Sequence, residues 1–334
     1  MVEPRFLIIK GGALGDVIHT LPAAAVLRDT FPTARIDWAI QPRWARVLEC
    51  NPDIREAIAF ENSNPIAMVR ALSRMRSTQY TCAIDFQSLY KSALLSFACG
   101  APRRIGFPRT YAREGFASVF YTERVNPSGA HKVDHNLTLA YAAGARPAAP
   151  RFPIAIHAQD DETVSRNLER HKLSEFFVLN PGGGWLSKCW PAERYGQLHR
   201  KIFERYGWRG IVSCGPGEEH LAQAVIDSAG NPPPVALKPG LGPLFALLRR
   251  SKFVVSADTG PLHLASALGA PVVALFGPTD PSRNGPFSPD DVVVRNPGAG
   301  ETTYRRGKSY SPAMLSITVD QVMDAIERRL EHRR

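Results

Sequence analysis

No run of this 334-residue chain approaches the roughly 18–20 consecutive apolar residues that span a bilayer. No membrane-crossing helix is therefore expected. Cysteines are few: Cys50, Cys82, Cys99, Cys189 and Cys214 are odd in number, widely spaced and never in a CxxC pair. That excludes a disulfide scaffold and a cysteine-built zinc site, and it predicts a reducing, cytoplasmic compartment. Glu3, Pro4 and the early Gly11–Gly12 leave no signal-peptide core. Short repeats and low-complexity tracts are missing. So is the dinucleotide fingerprint, because Lys10 stands where its first glycine belongs. This disfavours an NAD-dependent oxidoreductase. The turn before Lys188 lacks Walker A spacing, which disfavours an NTPase.

What is present is an ordinary soluble composition, 44% hydrophobic and 22% charged, on a length that suggests two domains. The formal charge of +10 suits a nucleic acid, an anionic lipid surface or a phosphorylated substrate. The excess is concentrated. Residues 70–124 hold nine basic residues against three acids, and eight of the nine are Arg, the side chain suited to bidentate phosphate or carboxylate contacts. A solvated basic face explains it equally well. No RNA- or DNA-binding motif accompanies the charge, so a nucleic-acid partner is not expected.

Strand and helix signals alternate. Phe6–Ile9, Ala34–Ile40, Ala57–Phe60 and Thr81–Asp85 read as strands; Val17–Arg28, Arg43–Cys50 and Ile66–Arg76 read as helices. A Pro- and Ala-rich break falls around residues 144–162. The pattern then restarts. Phe176–Asn180 leads into Pro181–Gly184, and further strands follow at Gly210–Ser213, Phe253–Ser256 and Val272–Phe276. An amphipathic helix over about 318–332 closes the chain. Two parallel α/β units are expected, with ligands beyond the carboxyl ends of their strands and the site in a cleft between them.

Four turns hold the residues that carry chemistry. Asp16 follows the first Gly-rich turn, either as an acid complementing a helix dipole or as a general base. His19 reads as packing rather than catalysis. Lys188 sits behind three consecutive glycines, well placed for a phosphate unless it is merely solvated. Asp258, Thr259 and Gly260 open a helix whose first amides suit an anion, with Asp258 equally readable as a cap. Glu218 or Glu219 lies beyond the strand at 210–213, as a ribose ligand or as a first-turn helix acid. His131 and His135 have helical i, i+4 spacing but no third ligand, so no metal is expected there.

Three stretches together resemble glycosyltransferase family 9, the ADP-heptose:lipopolysaccharide heptosyltransferases. They are Lys10-Gly-Gly-Ala-Leu-Gly-Asp-Val-Ile-His-Thr-Leu-Pro22, Asn180-Pro-Gly with Lys188-Cys-Trp-Pro191, and Asp258-Thr-Gly-Pro-Leu-His263 with Phe276-Gly-Pro-Thr-Asp-Pro281. Asp85–Ser92 and Arg103–Phe107 look like the same family, and His19-Thr-Leu-Pro22 is similar to its type I members more than to type II. The resemblance implies an α/β GT-B fold, with two Rossmann-like domains facing across a cleft. The first, 1–155, would bind acceptor; the second, 156–317, would bind nucleotide sugar; and a last helix in 318–334 would pack back on the first. It implies inversion without a cofactor or a bound metal, the ADP-sugar being a substrate. By motif position, Asp16 is the expected base. Lys188, Glu218, Asp258, Thr259, Gly260 and His263 are the expected donor contacts. Cys189 stands where many members carry Arg or His. The implied acceptor is Kdo-lipid A, met through Gly15, Lys91, Arg103, Arg104 and Arg113, at the cytoplasmic face of the inner membrane with peripheral membrane contact. A different nucleotide sugar or acceptor on the same fold is the alternative.

Overall fold

The computed structural model describes residues 3–61 and 64–331. Its chain divides between Ala155 and Ile156 into two compact units. The first holds six strands: β1 (Arg5–Ile9), β2 (Arg35–Ile40), β3 (Glu56–Ala59), β4 (Cys82–Asp85), β5 (Arg103–Gly106) and β6 (Glu123–Arg124). They pair in the order β3-β2-β1-β4-β5-β6, every pair parallel. The central strands are almost wholly buried, as expected of a sheet covered by helices on both faces.

The second unit repeats the plan. Its strands are β7 (Phe176–Asn180), β8 (Arg209–Ser213), β9 (Val235–Leu237), β10 (Val254–Ala257), β11 (Val272–Leu275) and β12 (Val292–Val294). They pair in parallel in the order β12-β11-β10-β7-β8-β9. Each sheet reverses its winding once, between β1 and β4 and between β7 and β10. At such a switch point the two flanking loops part and leave a crevice beyond the carboxyl ends of the strands. All four turns singled out from the sequence lie at the carboxyl end of β1, β7, β8 or β10.

Several elements differ from the periodicity. The helix expected over 17–28 is two helices, Leu14–Ile18 and Leu21–Thr30, interrupted at His19–Thr20. Arg43–Cys50 is a 3-10 helix, Pro42–Leu48, rather than an α-helix. The closing helix, Val319–Glu331, contributes Val322, Met323, Ala325 and Ile326 to the core of the second unit. Its last expected residue, His332, and the rest of the 332–334 tail lie outside the described residues.

Candidate active site

At the end of β1 the chain passes through Gly11 and Gly12 into the helix Leu14–Ile18, which carries Gly15 and Asp16. Gly12 has φ +148°, and a Cβ there would lie 2.5 Å from Trp44 Nε1, so both conformation and space demand glycine. The turn brings Asp16 between two ammonium groups. Lys132 Nζ donates to Asp16 Oδ1 at 3.1 Å, and Lys10 Nζ stands 3.7 Å from Oδ2. Lys10 is buried and also donates to the Phe86 carbonyl at 3.0 Å. Burial pushes the Asp16 carboxyl up, but Lys10, Lys132 and His19 outweigh it and hold the group well below the usual carboxylate range. Asp16 is therefore ionised at neutral pH. Burial lowers Lys10 from the ordinary lysine value, with Asp16 opposing.

Lys132 is absent from every motif, yet it completes this site. It is the first residue of the helix Lys132–Ala142, where a cation opposes the helix dipole. One turn on, Asn136 Nδ2 donates to the His19 carbonyl at 2.9 Å and to Thr20 Oγ1 at 3.1 Å, which fixes the helix against the break at 19–20. Asp85, at the end of β4, is structural. Its buried carboxylate accepts from the Gln87 and Ser88 amides and from the Ser92 and Tyr121 hydroxyls, so it shapes the loop next to Asp16.

The expected acceptor residues separate. Lys91 is exposed on the first turn of the helix Tyr90–Ala98, beyond β4. Arg113 is exposed on the loop beyond β5, close enough to Lys10 to depress its pKa further. Arg103 and Arg104 do not join them. They pair with Cys82 and Ala83 at the amino end of the sheet, the opposite end from Asp16. Their guanidinium groups are also committed locally, Arg103 to Glu123 and the Ala142 carbonyl, Arg104 to the Phe120 and Ala101 carbonyls.

In the second unit the residues expected to meet the donor converge. Asn180 ends β7, and its Nδ2 lies 3.1 Å from Ser256 Oγ and 3.2 Å from Thr259 Oγ1, joining the ends of β7 and β10. Lys188 Nζ donates to Asp258 Oδ2 at 2.6 Å and lies 4.2 Å from the centre of the Trp185 ring. His263 Nε2 lies 3.3 Å from the other Asp258 oxygen. Burial raises the Asp258 carboxyl, but His263 and Lys188 reverse this and hold it well below its ordinary value. Thr259 is the N-cap of the helix Gly260–Ala267 without a side-chain cap bond, so the first amides keep their capacity for an anion. Pro261 is the second residue of this helix.

The structure separates the two glutamates. Glu218 Oε2 accepts from the Gly215 amide at 2.8 Å and Oε1 from the Gly183 amide at 3.1 Å, stitching the two glycine turns together. A Cβ on Gly182 would lie 2.3 Å from Glu218 Oε2. Glu219 is exposed and pairs with Lys238. Cys189 is buried, and burial pushes its thiol up to about 11, so it is an uncharged packing group beside the loop. One neighbour had no sequence signal: Arg306 lies 5.9 Å from the centre of the Trp185 ring, on a loop whose Gly307 amide donates to Ser187 Oγ. In the 276–281 stretch, Asp280 caps the helix Pro281–Asn284 and a Cβ on Gly277 would strike Met314, which gives that motif a packing role. Among the described residues no group of three or more His, Cys, Asp or Glu side chains is placed to hold a metal ion.

Two parallel six-stranded sheets of this order, with charged turns at both switch points, define a two-domain α/β fold of the GT-B type. The comparisons with known proteins agree. A family model described as glycosyltransferase family 9 (heptosyltransferase) matches residues 68–313, and the chain belongs to that family. It is 28% identical over 333 residues to lipopolysaccharide heptosyltransferase 1 of Pseudomonas aeruginosa, covering 92% of this chain and 88% of that protein. Among solved structures it is similar to the Escherichia coli heptosyltransferase WaaC with ADP, at 26% identity and a TM-score of 0.78, covering 97% of this chain and 99% of that one. The same enzyme with ADP-2-deoxy-2-fluoro heptose gives a TM-score of 0.76 over the same shares of the two chains, again at 26% identity. A family 9 glycosyltransferase from Veillonella parvula shares the fold at a TM-score of 0.84 and 24% identity, over 99% of this chain and 98% of that one.

Proposed function

We propose that this glycosyltransferase moves a heptose from ADP-heptose to an anionic inner-core lipopolysaccharide acceptor, Kdo-lipid A, with inversion at the anomeric carbon. The observation that carries the reading is the ionised Asp16 carboxylate, held between Lys10 and Lys132 at the carboxyl end of the first sheet. The ADP and ADP-sugar complexes of the WaaC relative support the donor, and the lipopolysaccharide relative supports the acceptor.

In this mechanism Asp16 accepts the proton of the acceptor hydroxyl as its oxygen bonds to C1 of the heptose. The bond from C1 to the diphosphate oxygen breaks, and its electron pair leaves on ADP. Lys188 and the amides at the start of the helix Gly260–Ala267 offset that charge; contacts of this kind contribute about 2.7–4 kcal/mol in a transition state. Asp258 and His263 aim Lys188. Glu218 accepts the ribose hydroxyls. No metal or cofactor enters; the nucleotide sugar brings its own leaving group. Lys91 and Arg113, with Lys10 and Lys132, meet the carboxylates and phosphates of the acceptor. Catalysis then takes place against the cytoplasmic face of the inner membrane.

The test is incubation of the purified chain with ADP-heptose and Kdo-lipid A, with mass spectrometry of the lipid and the anomeric configuration read by NMR. A mass gain of one heptose with inverted configuration is expected. Transfer from a UDP-sugar in preference to ADP-heptose, or no transfer to this acceptor, would overturn the substrate assignment.

A further inference from the structure

The helix Tyr90–Ala98 is built inside out. Its buried positions are Ser92, Ala93, Leu95 and Ser96, whereas Tyr90, Leu94 and Phe97 point to solvent at 44%, 43% and 54% exposure. These three fall at i, i+4 and i+7, one face of the helix. The polar interior has a local cause, since the Ser92 hydroxyl donates to Asp85 and Ser96 to the Ala93 carbonyl. The apolar exterior has none, because a surface helix ordinarily turns such residues inward. The adjoining 3-10 helix, Gly115–Phe120, adds Phe116 and Val119 at 64% and 52% exposure. Tyr90 stacks on Phe116 at 6.4 Å, and Phe97 and Tyr90 each meet Phe120 edge-on. The result is one continuous aromatic and aliphatic patch.

Its surroundings are cationic. From residue 90 to 124 the chain carries six basic residues against two acids. Lys91 is exposed next to Tyr90, and the Arg104 guanidinium lies 5.5 Å from the centre of the Phe97 ring. Of the two acids, Glu123 is paired with Arg103 and Glu114 accepts from the Tyr90 amide. Bulky apolar side chains with cations at their margin match the two halves of a bilayer interface, the acyl boundary and the anionic headgroups.

We propose that this patch is the surface by which the protein docks onto an anionic phospholipid bilayer. Tyr90, Leu94, Phe97, Phe116 and Val119 enter the headgroup–acyl boundary, and the exposed Lys91, next to Tyr90, and Arg109, against Gly115, contact the lipid phosphates. The purpose of such docking rests on the lipid-linked acceptor proposed above. The surface itself rests on the inverted helix and its charge.

The test is co-sedimentation of the full chain with vesicles of phosphatidylcholine alone or with phosphatidylglycerol, no acceptor being present. The wild type is expected to bind the mixed vesicles, more weakly as salt is raised, and to leave phosphatidylcholine vesicles largely unbound. Phe97→Ser combined with Phe116→Ser is expected to lower the bound fraction about tenfold, with far-UV circular dichroism and Tm retained. The single Leu94→Ser gives a second reading if the double variant is poorly folded. Unchanged vesicle binding by folded variants overturns the proposal. So does equal binding to the two lipid compositions, or a wild-type dimer that these substitutions turn into monomer, since a second copy would then cover the patch. Activity is assayed separately with a delipidated, water-soluble acceptor. Its loss in the wild type counts against the acceptor assignment, and its retention in variants that no longer bind vesicles separates docking from chemistry.

Discussion

The Lys188 ammonium lies 2.6 Å from Asp258, whose second oxygen lies 3.3 Å from His263. A buried carboxylate thus holds a lysine from one loop and a histidine from the next helix in a fixed relation. The arrangement keeps a cation beside the free amides of the Gly260–Ala267 helix without leaving it mobile.

Removing that cation is expected to weaken ADP binding. Lys188→Met should raise the calorimetric Kd of ADP by roughly tenfold to a hundredfold, the scale of a charge-assisted hydrogen bond. Asp258→Asn should give a smaller loss of the same sign, because Lys188 stays but is no longer aimed. Unchanged affinity in Lys188→Met would remove it from the donor site.

The two glutamates offer an internal control. Glu218→Gln should raise the ADP Kd about tenfold, since it loses both its ribose acceptor and the tie between Gly183 and Gly215. Glu219→Gln, at an exposed residue paired with Lys238, should bind ADP as the wild type does. The reverse order in titration calorimetry would transfer the role to Glu219.

Lys132 should tune Asp16. The ammonium lowers the carboxyl pKa, so removing it in Lys132→Met raises that pKa and leaves less carboxylate at a given acidic pH. The acid limb of the kcat/KM profile should move to higher pH. A limb that stays in place would mean that Lys132 does not act on the ionisation of Asp16.

The arginines should divide by position. Arg113→Ala, near Lys10, is expected to raise the acceptor KM about tenfold. Arg103→Ala, at the other end of the sheet, should leave it unchanged and cost under about 1 kcal/mol of stability, as exposed ion pairs usually do. An acceptor KM that responds to Arg103 and not to Arg113 would contradict this placement.

The sequence made the central strands legible because a buried parallel strand is a plain apolar run, as in Phe6–Ile9 and Phe176–Asn180. Strands of two or three residues, such as Glu123–Arg124 and Val235–Leu237, carry no readable period. The helix Tyr90–Ala98 escaped because apolar residues lie on both its buried and its exposed faces, which leaves no single apolar stripe to read. Asp16, Lys188, Glu218 and Asp258 were legible as candidates because each follows a strand in a local motif. Lys132 had no local signal, since it meets Asp16 across 116 residues of chain and the packing of its helix, with Asn136 on the 19–20 break, brings it there. Arg103 and Arg104 were misplaced by the same limitation: a charge count along the chain does not say at which end of a sheet the charges stand.

The most direct test of the account is Asp16→Asn, which keeps the shape of the side chain and removes the base. Steady-state turnover with ADP-heptose and Kdo-lipid A should fall by a factor on the order of 10²–10⁴, while the calorimetric Kd of ADP stays at the wild-type value. Turnover close to wild type would contradict the account, because some other group would then take the acceptor proton.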